Sequence, residues 1–275
     1  MRRTSAFLAL ALASSFAATA RAQGKFPIRK LATDVYLIVA PSGNMVAQTG
    51  ASGIVLAGAQ AAASTAGVVA ALRTVSTAPV RYVLFAPGDS MGDEGDAGWS
   101  ARNATVVAHE RMRMTAPHVR SALGFSEVLQ IYLDGGSVHA VHQPPGHTKA
   151  DIIVHFESMR VIYLGNAFVA KGYPRIDVHG GASVDSLIKE VSPFAGFDGV
   201  QIVPGRGAVS TAADLGAYRD MLKGVREKVS ALVAQKQTLA EVIAAKPTAA
   251  WDATYGRAGA RPEQFVEMVY RSLAH

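Results

Sequence analysis

Pro145-Gly146-His147-Thr148-Lys149-Ala150-Asp151 joins two segments that read as strands, Ser137–His142 before it and Ile152–Phe156 after it. A tight polar link between apolar alternating runs places its residues at a sheet edge rather than inside the sheet. Upstream, Val128–Leu133 precedes Asp134-Gly135-Gly136, a hairpin turn signal. Downstream, Ile152–Phe156 pairs naturally with Arg160–Leu164.

Working outward in both directions, the same alternation of strand and helix continues. Val35–Val39, Met45–Thr49 and Gly53–Leu56 read as short strands close together. Ala59–Ser76 reads as a helix with Val68, Val69 and Leu72 as its buried stripe. Pro79 ends it, and Val80–Phe85 reads as a strand apolar enough to lie inside a sheet. Ala86–Gly98 reads as a loop, Thr105–Ala108 as a strand, and Glu110–Leu123 as a helix. On the far side come a helix over Val184–Val191 and a strand over Gly199–Val203. Asp214–Gln235 is a long amphipathic helix with Leu215, Tyr218, Leu222, Val225, Val229 and Leu232 on one face. Thr238 and Glu241 form a capping-box pattern for the next helix, and Arg261–Leu273 is the last. Strands and a helix, then strands and helices again, predict an α/β protein: two packed sheets with helices on both outer faces.

The N-terminus predicts a secretory leader over 1–22 and a single domain over 23–275. Arg2 and Arg3 precede the apolar Ala6–Ala20 run, and Ala20-Arg21-Ala22 fits a cleavage site. The run is short for a bilayer span, so no stable membrane insertion is expected after cleavage. A periplasmic or secreted location follows. The chain has no cysteine, which excludes disulfides and thiolate metal sites. The formal charge of +6 drops by three with Arg2, Arg3 and Arg21. The remaining Lys and Arg are scattered without interleaved aromatics, so nucleic acid is not an expected partner.

Four stretches recur along this order as loop landmarks. Val80–Phe85 is followed by Ala86-Pro87-Gly88-Asp89-Ser90-Met91-Gly92-Asp93-Glu94-Gly95-Asp96. Then come Pro145-Gly146-His147-Thr148 with Asp151, Tyr163-Leu164-Gly165-Asn166, and Pro204-Gly205-Arg206-Gly207. From about Leu31 to Leu273 this order resembles the metallo-β-lactamase superfamily. That resemblance implies a four-layer αββα sandwich of metallo-β-lactamase type with a helical C-terminal extension. Tyr173-Pro174-Arg175-Ile176-Asp177 with Gly180-Gly181, and the tail Leu239–Pro247, resemble one exported branch of it. The resemblance assigns the family's ligand positions to Pro87, Asp89, Met91, Gly92, His147, Asn166 and Arg206. Of these only His147 is a good transition-metal ligand. Two zinc ions need a dense set of imidazoles and carboxylates.

The expected function is therefore a hydrolase-like protein with a degenerate metal site, non-catalytic or weakly active, in a binding or accessory role. No cofactor is expected. The alternative is an exported hydrolase of an ester, thioester or lactam, with a substitute or single-zinc site around His147 and Asp89, the two catalytic candidates. Arg206 and Lys149 bring positive charge toward the pocket, which suits a small anionic ligand; the rival expectation is an internal Asp89–Arg206 ion pair. Asn166 and His179 complete the expected pocket. Asp93, Glu94 and Asp96 read as an acidic loop without EF-hand spacing. Ser90 lacks a nucleophile-elbow context. His139 and His142, three apart on a strand, face opposite sides and cannot form one site together.

Overall fold

The computed structural model describes residues 26–41, 43–58, 62–86, 95–112, 123–134, 136–156 and 160–274. Seven strands form the first sheet in sequential order: β1 (Ile28–Ala32), β2 (Val35–Ala40), β3 (Gly43–Thr49), β4 (Ile54–Ala57), β5 (Val80–Phe85), β6 (Thr105–His109) and β7 (Leu123–Phe125). The pairs are antiparallel up to β4 and parallel from β4 to β7. The crossovers that parallel pairing requires include α1 (Ala62–Leu72) between β4 and β5, and α2 (Gly95–Ser100) between β5 and β6.

The second sheet holds β8 (Val128–Leu133), β9 (Gly136–His142), β10 (Ile152–Phe156), β11 (Val161–Val169) and β12 (Gln201–Arg206), in the order β12-β11-β10-β9-β8. Only β11–β12 is parallel. Its crossover is α3 (Val184–Val191) with a 3-10 turn, Ser192–Gly196. The C-terminal third adds α4 (Ala212–Ala234), α5 (Leu239–Ala244), α6 (Asp252–Tyr255) and α7 (Pro262–Leu273).

Strand alternation divides the interior into three apolar layers. Residues such as Val55, Leu84 and Val107 face Val154, Val161 and Val203 between the sheets. Their neighbours Ile54, Leu56, Val83 and Phe85 face α1 and α2. On the second sheet Ile153, Ile162, Leu164 and Ile202 face the α4 stripe of Leu215, Tyr218, Leu222, Val225 and Val229. Side chains alternate across a strand, so each sheet fills two layers at once. Each fully buried Val, Leu, Ile or Phe contributes about 1.5–3 kcal/mol. The result is the four-layer αββα sandwich expected, with its helical C-terminal region. No described helix is long and apolar enough to cross a membrane.

The structure corrects several element boundaries. The segment read as a loop through Gly98 contains α2 from Gly95, and Leu123 starts β7 instead of ending a helix. The strand read as ending at Val203 runs on to Arg206, and the one read as ending at Leu164 reaches Val169. These extensions exist because β11 and β12 pair in parallel through Gly165↔Pro204 and Val169↔Arg206. The two landmark motifs thus lie on adjacent strands, not in free loops.

Candidate functional site

Asp151 organises the Gly146–Asp151 loop. Its carboxylate accepts hydrogen bonds from the His147 N–H at 2.6 Å, the Thr148 N–H at 2.8 and 2.9 Å, and the Thr148 hydroxyl at 2.7 Å. The loop is thereby closed on a single buried acid. The His147 ring follows, with Nδ1 lying 3.6 Å from Asp151 Oδ1. That is an ion-pair separation beyond hydrogen-bond range, and Nδ1 is buried without a hydrogen-bond partner. The backbone of His147 is anchored from the other side, where the Asp177 N–H donates to its carbonyl at 2.9 Å.

Beneath this loop lies Glu190 of α3, 1 % exposed. Gly146 makes the room: a Cβ there would sit 2.2 Å from Glu190 Oε2. Neither Glu190 oxygen has a partner in good hydrogen-bond geometry, and the side chain nearest to giving one is the Asp151 carboxyl. Burial, and then the charge of Asp151, push its pKa well above the carboxylate range. A buried charge without a counter-charge is far more costly than a buried proton, so this environment favours the protonated carboxyl. The sequence reading missed it: α3 reads as an amphipathic helix, and nothing local marks residue 190 as an inward position.

The second group of residues sits where β11 and β12 run side by side. A Cβ on Gly205 would lie 2.6 Å from the Gly165 carbonyl oxygen and 2.9 Å from Asn166 Oδ1, so this backbone approach requires glycine. Asn44 of β3 ties the first sheet to the same place, donating to the carbonyls of Pro204 at 2.9 Å and Gly207 at 2.8 Å. Ala86, the residue before Pro87, packs near Gly165, where an added Cβ would be 3.5 Å from the Ala86 Cβ. Arg206 ends β12 and is exposed. Among the described residues it makes no ion pair.

A stacked histidine pair connects the two groups. His109 follows Ala108, which pairs with Phe85 at the end of β5. Its ring lies 3.8 Å from that of His142, at 16°. His142 Nδ1 donates to the Asp151 carbonyl at 3.0 Å, so it engages the loop backbone rather than the His147 ring. His109 Nε2 donates to the Ser126 carbonyl at 2.9 Å, and its Nδ1 accepts from the Arg111 N–H at 3.3 Å. Those contacts require the neutral ring. Burial, then the neighbouring His142, lower the His109 pKa accordingly. The ends of β5, β6 and β9 and the loops after β9 and within β11 thus gather at one edge of the sandwich.

The other candidates are dispersed around this edge. Lys149 is exposed and its stem runs over Gly181, where a Cβ would be 2.5 Å from Lys149 Cε. His179 is exposed on the neighbouring turn. His139 pairs in register with His155 and Gln130 on the second sheet. Pro87, Asp89, Ser90, Met91, Gly92, Asp93 and Glu94 lie outside the described residues, as does the leader, and only the backbone of Asp96 falls within them, in α2. Among the described residues no group of three or more His, Asp or Glu is arranged to hold a metal ion. A depression of about 410 Å³ opens on the α4 side of β11, lined by Phe168, Ala170, Lys171, Val209, Asp214 and Tyr255 among others.

No family model and no curated protein matches the chain. Solved structures do. A metallo-β-lactamase from Pontibacter korlensis aligns at a TM-score of 0.61 and 15% identity, over 72% of this chain and 99% of that one. One from Hirschia baltica aligns at 0.59 and 20% identity, over 72% and 97%. The stereoselective inverting sec-alkylsulfatase from Pseudomonas sp. aligns at 0.69 and 14% identity, over 91% of this chain. The chain spans about half of that enzyme, 51% of its length. The fold is the metallo-β-lactamase fold; at such identities the likeness extends to architecture alone.

Proposed function

We propose that this hydrolase-like protein has a degenerate metal site and works by binding a small organic anion at the edge that carries Arg206. The observation that carries this reading is the exposed guanidinium at the end of β12, on a position where the resemblance places a metal ligand. A guanidinium has no lone pair to donate and repels a dication, yet it binds carboxylate or phosphate in a fork. The rest of the donor set points the same way. His147 has its Nδ1 turned to Asp151, Asn166 is neutral, and Pro87, Met91 and Gly92 supply no strong donor. These residues do not fit a pair of zinc ions. Lys149, on the Gly146–Asp151 loop, adds positive charge. An exported binding or accessory role suits the leader-like N-terminus.

The test is a thermal-shift titration of the mature chain with phosphate and acetate, alongside elemental analysis. Stabilisation that disappears in Arg206→Gln, with no stoichiometric zinc, is the expected result. Two zinc ions per chain would overturn the reading. So would strong coupling between Asp89→Asn and Arg206→Gln in a stability cycle without any anion effect, which would mean that Arg206 is spent on an internal ion pair.

One observation favours a second reading, a hydrolase of an ester, thioester or lactam. Asp151 Oδ1 lies 3.6 Å from His147 Nδ1, so closure of that gap on substrate binding would orient the imidazole as a general base through Nε2. Ester hydrolysis that is lost in His147→Ala and persists in the metal-free chain would support it.

A further inference from the structure

At the opposite end of the first sheet lies a groove that the site above does not use. Ile54 and Val80 are the first residues of β4 and β5 and pair in register. From here the two strands run toward Ala57 and Phe85, the end nearer the candidate edge. A six-residue strand separates the two ends by roughly 17–20 Å. The groove is about 320 Å³ in volume, within the roughly 300–1,000 Å³ typical of small-molecule sites. Its floor is apolar, formed by Val69, Ala78, Pro79 and Val80 over the buried Ile54 and Leu72. Arg73, just after α1, and Arg102, just after α2, line its sides, with the Ser76 hydroxyl nearby.

The charge pattern is the informative part. Two guanidiniums line one groove, and no Asp or Glu is among the lining residues. Among the described residues neither arginine makes an ion pair. Arg102 Nη1 donates to the Gly98 carbonyl at 2.8 Å, which positions the head group and leaves its other N–H groups for a further acceptor. Two exposed arginines on one groove without a neighbouring carboxylate give it a positive potential that favours an anion. Inorganic anions would gain nothing from the floor, and neutral alkanes nothing from the arginines.

We propose that this groove is a second binding site, for an amphipathic monoanion: an alkyl chain on Val69, Pro79 and Val80, and a carboxylate head at Arg73 and Arg102. The site is independent of the anion edge at Arg206. Each charge-assisted contact stabilises the head group, and each methylene taken out of water strengthens binding further.

Isothermal titration of the Arg206→Gln chain with octanoate tests this, with octanol and inorganic phosphate as single-feature probes; the substitution removes the carboxylate site proposed at the edge. Octanoate should bind this chain with one-to-one stoichiometry and more tightly than either probe. The double variant Arg73→Gln/Arg102→Gln should weaken it by at least about tenfold, as expected for losing two charge-assisted contacts. Arg73→Lys/Arg102→Lys should retain most of the affinity. Octanol binding as tightly as octanoate would overturn the role of the arginines, and phosphate doing so would overturn the role of the apolar floor. Octanoate binding that survives the double glutamine variant, or that vanishes in Arg206→Gln, would place the ligand elsewhere and sink the proposal.

Discussion

Glu190 is buried because it lies on the inward side of α3, between Leu187 and Val191, both fully covered. Its consequence is a pH dependence with a defined sign. An acid whose pKa is raised on folding holds its proton more tightly in the folded state. The stability this contributes is fully present below the unfolded pKa and is lost as pH rises through the folded one. Burial and Asp151 raise the Glu190 pKa, so the protein should lose stability on the alkaline side. Glu190→Gln keeps the shape and cannot ionise. In urea unfolding at pH 4 and pH 8 the variant should lie near the parent at the lower pH and exceed it at the higher one; equal losses in both proteins would show that the carboxyl does not titrate against folding. Asp151 is the complementary case. It accepts from two backbone N–H groups and a hydroxyl in a part-buried loop, and removal leaves those donors without partners. Asp151→Ala should cost about 2–4 kcal/mol, measured by chemical denaturation. It should also change the chemical shifts of the His147 ring, because the ring loses its carboxylate neighbour.

At the level of single elements, the helices that were readable in sequence are those with local punctuation. The Thr238–Glu241 capping box is present as expected, and a second one, Thr211 with Asp214, opens α4. The Asp214 carboxylate accepts from the Thr211 N–H at 2.8 Å and its hydroxyl at 2.7 Å. The backbone bond, then the hydroxyl, then Lys171 hold its pKa below the usual range. Such a depressed acid contributes stability above its unfolded pKa, and the contribution is lost as pH falls through the folded value. Asp214 is exposed, so this electrostatic part is small. Thr211→Ala should destabilise the protein by about 1 kcal/mol at neutral pH, and by less at pH 3, in thermal or urea melts. β5, β8, β10 and α3 begin and end where their apolar periodicity does. β7 and α2 do not show in the sequence: one has three residues and the other is Gly-Asp-Ala-Gly-Trp-Ser. Neither contains a full period of any pattern, so partners in the sheet and helix layers decide their state.

At the scale of the whole molecule, the two sheets meet at the candidate edge through a few backbone approaches. Gly205→Ala places a methyl group against the Gly165 carbonyl and Asn166. It should cost about 1–3 kcal/mol through overpacking and should weaken the anion-induced thermal shift assigned to Arg206; a variant as stable and as responsive as the parent would show that the approach carries no constraint. Sequence alone determined the layers of this protein, because alternation along strands and the 3.6-residue stripe of α4 record which face is buried. It also determined the chemistry that the landmark positions lack, since side-chain identity is independent of packing. Only the tertiary structure decided what surrounds them. The His109–His142 stack, Glu190 beneath Gly146, and Arg206 as the end of a strand beside Asn166 all join residues far apart in the chain. Parallel pairing of β11 with β12, and the crossovers that allow it, create those neighbours. No local pattern encodes a contact whose two halves are specified by the closure of different layers.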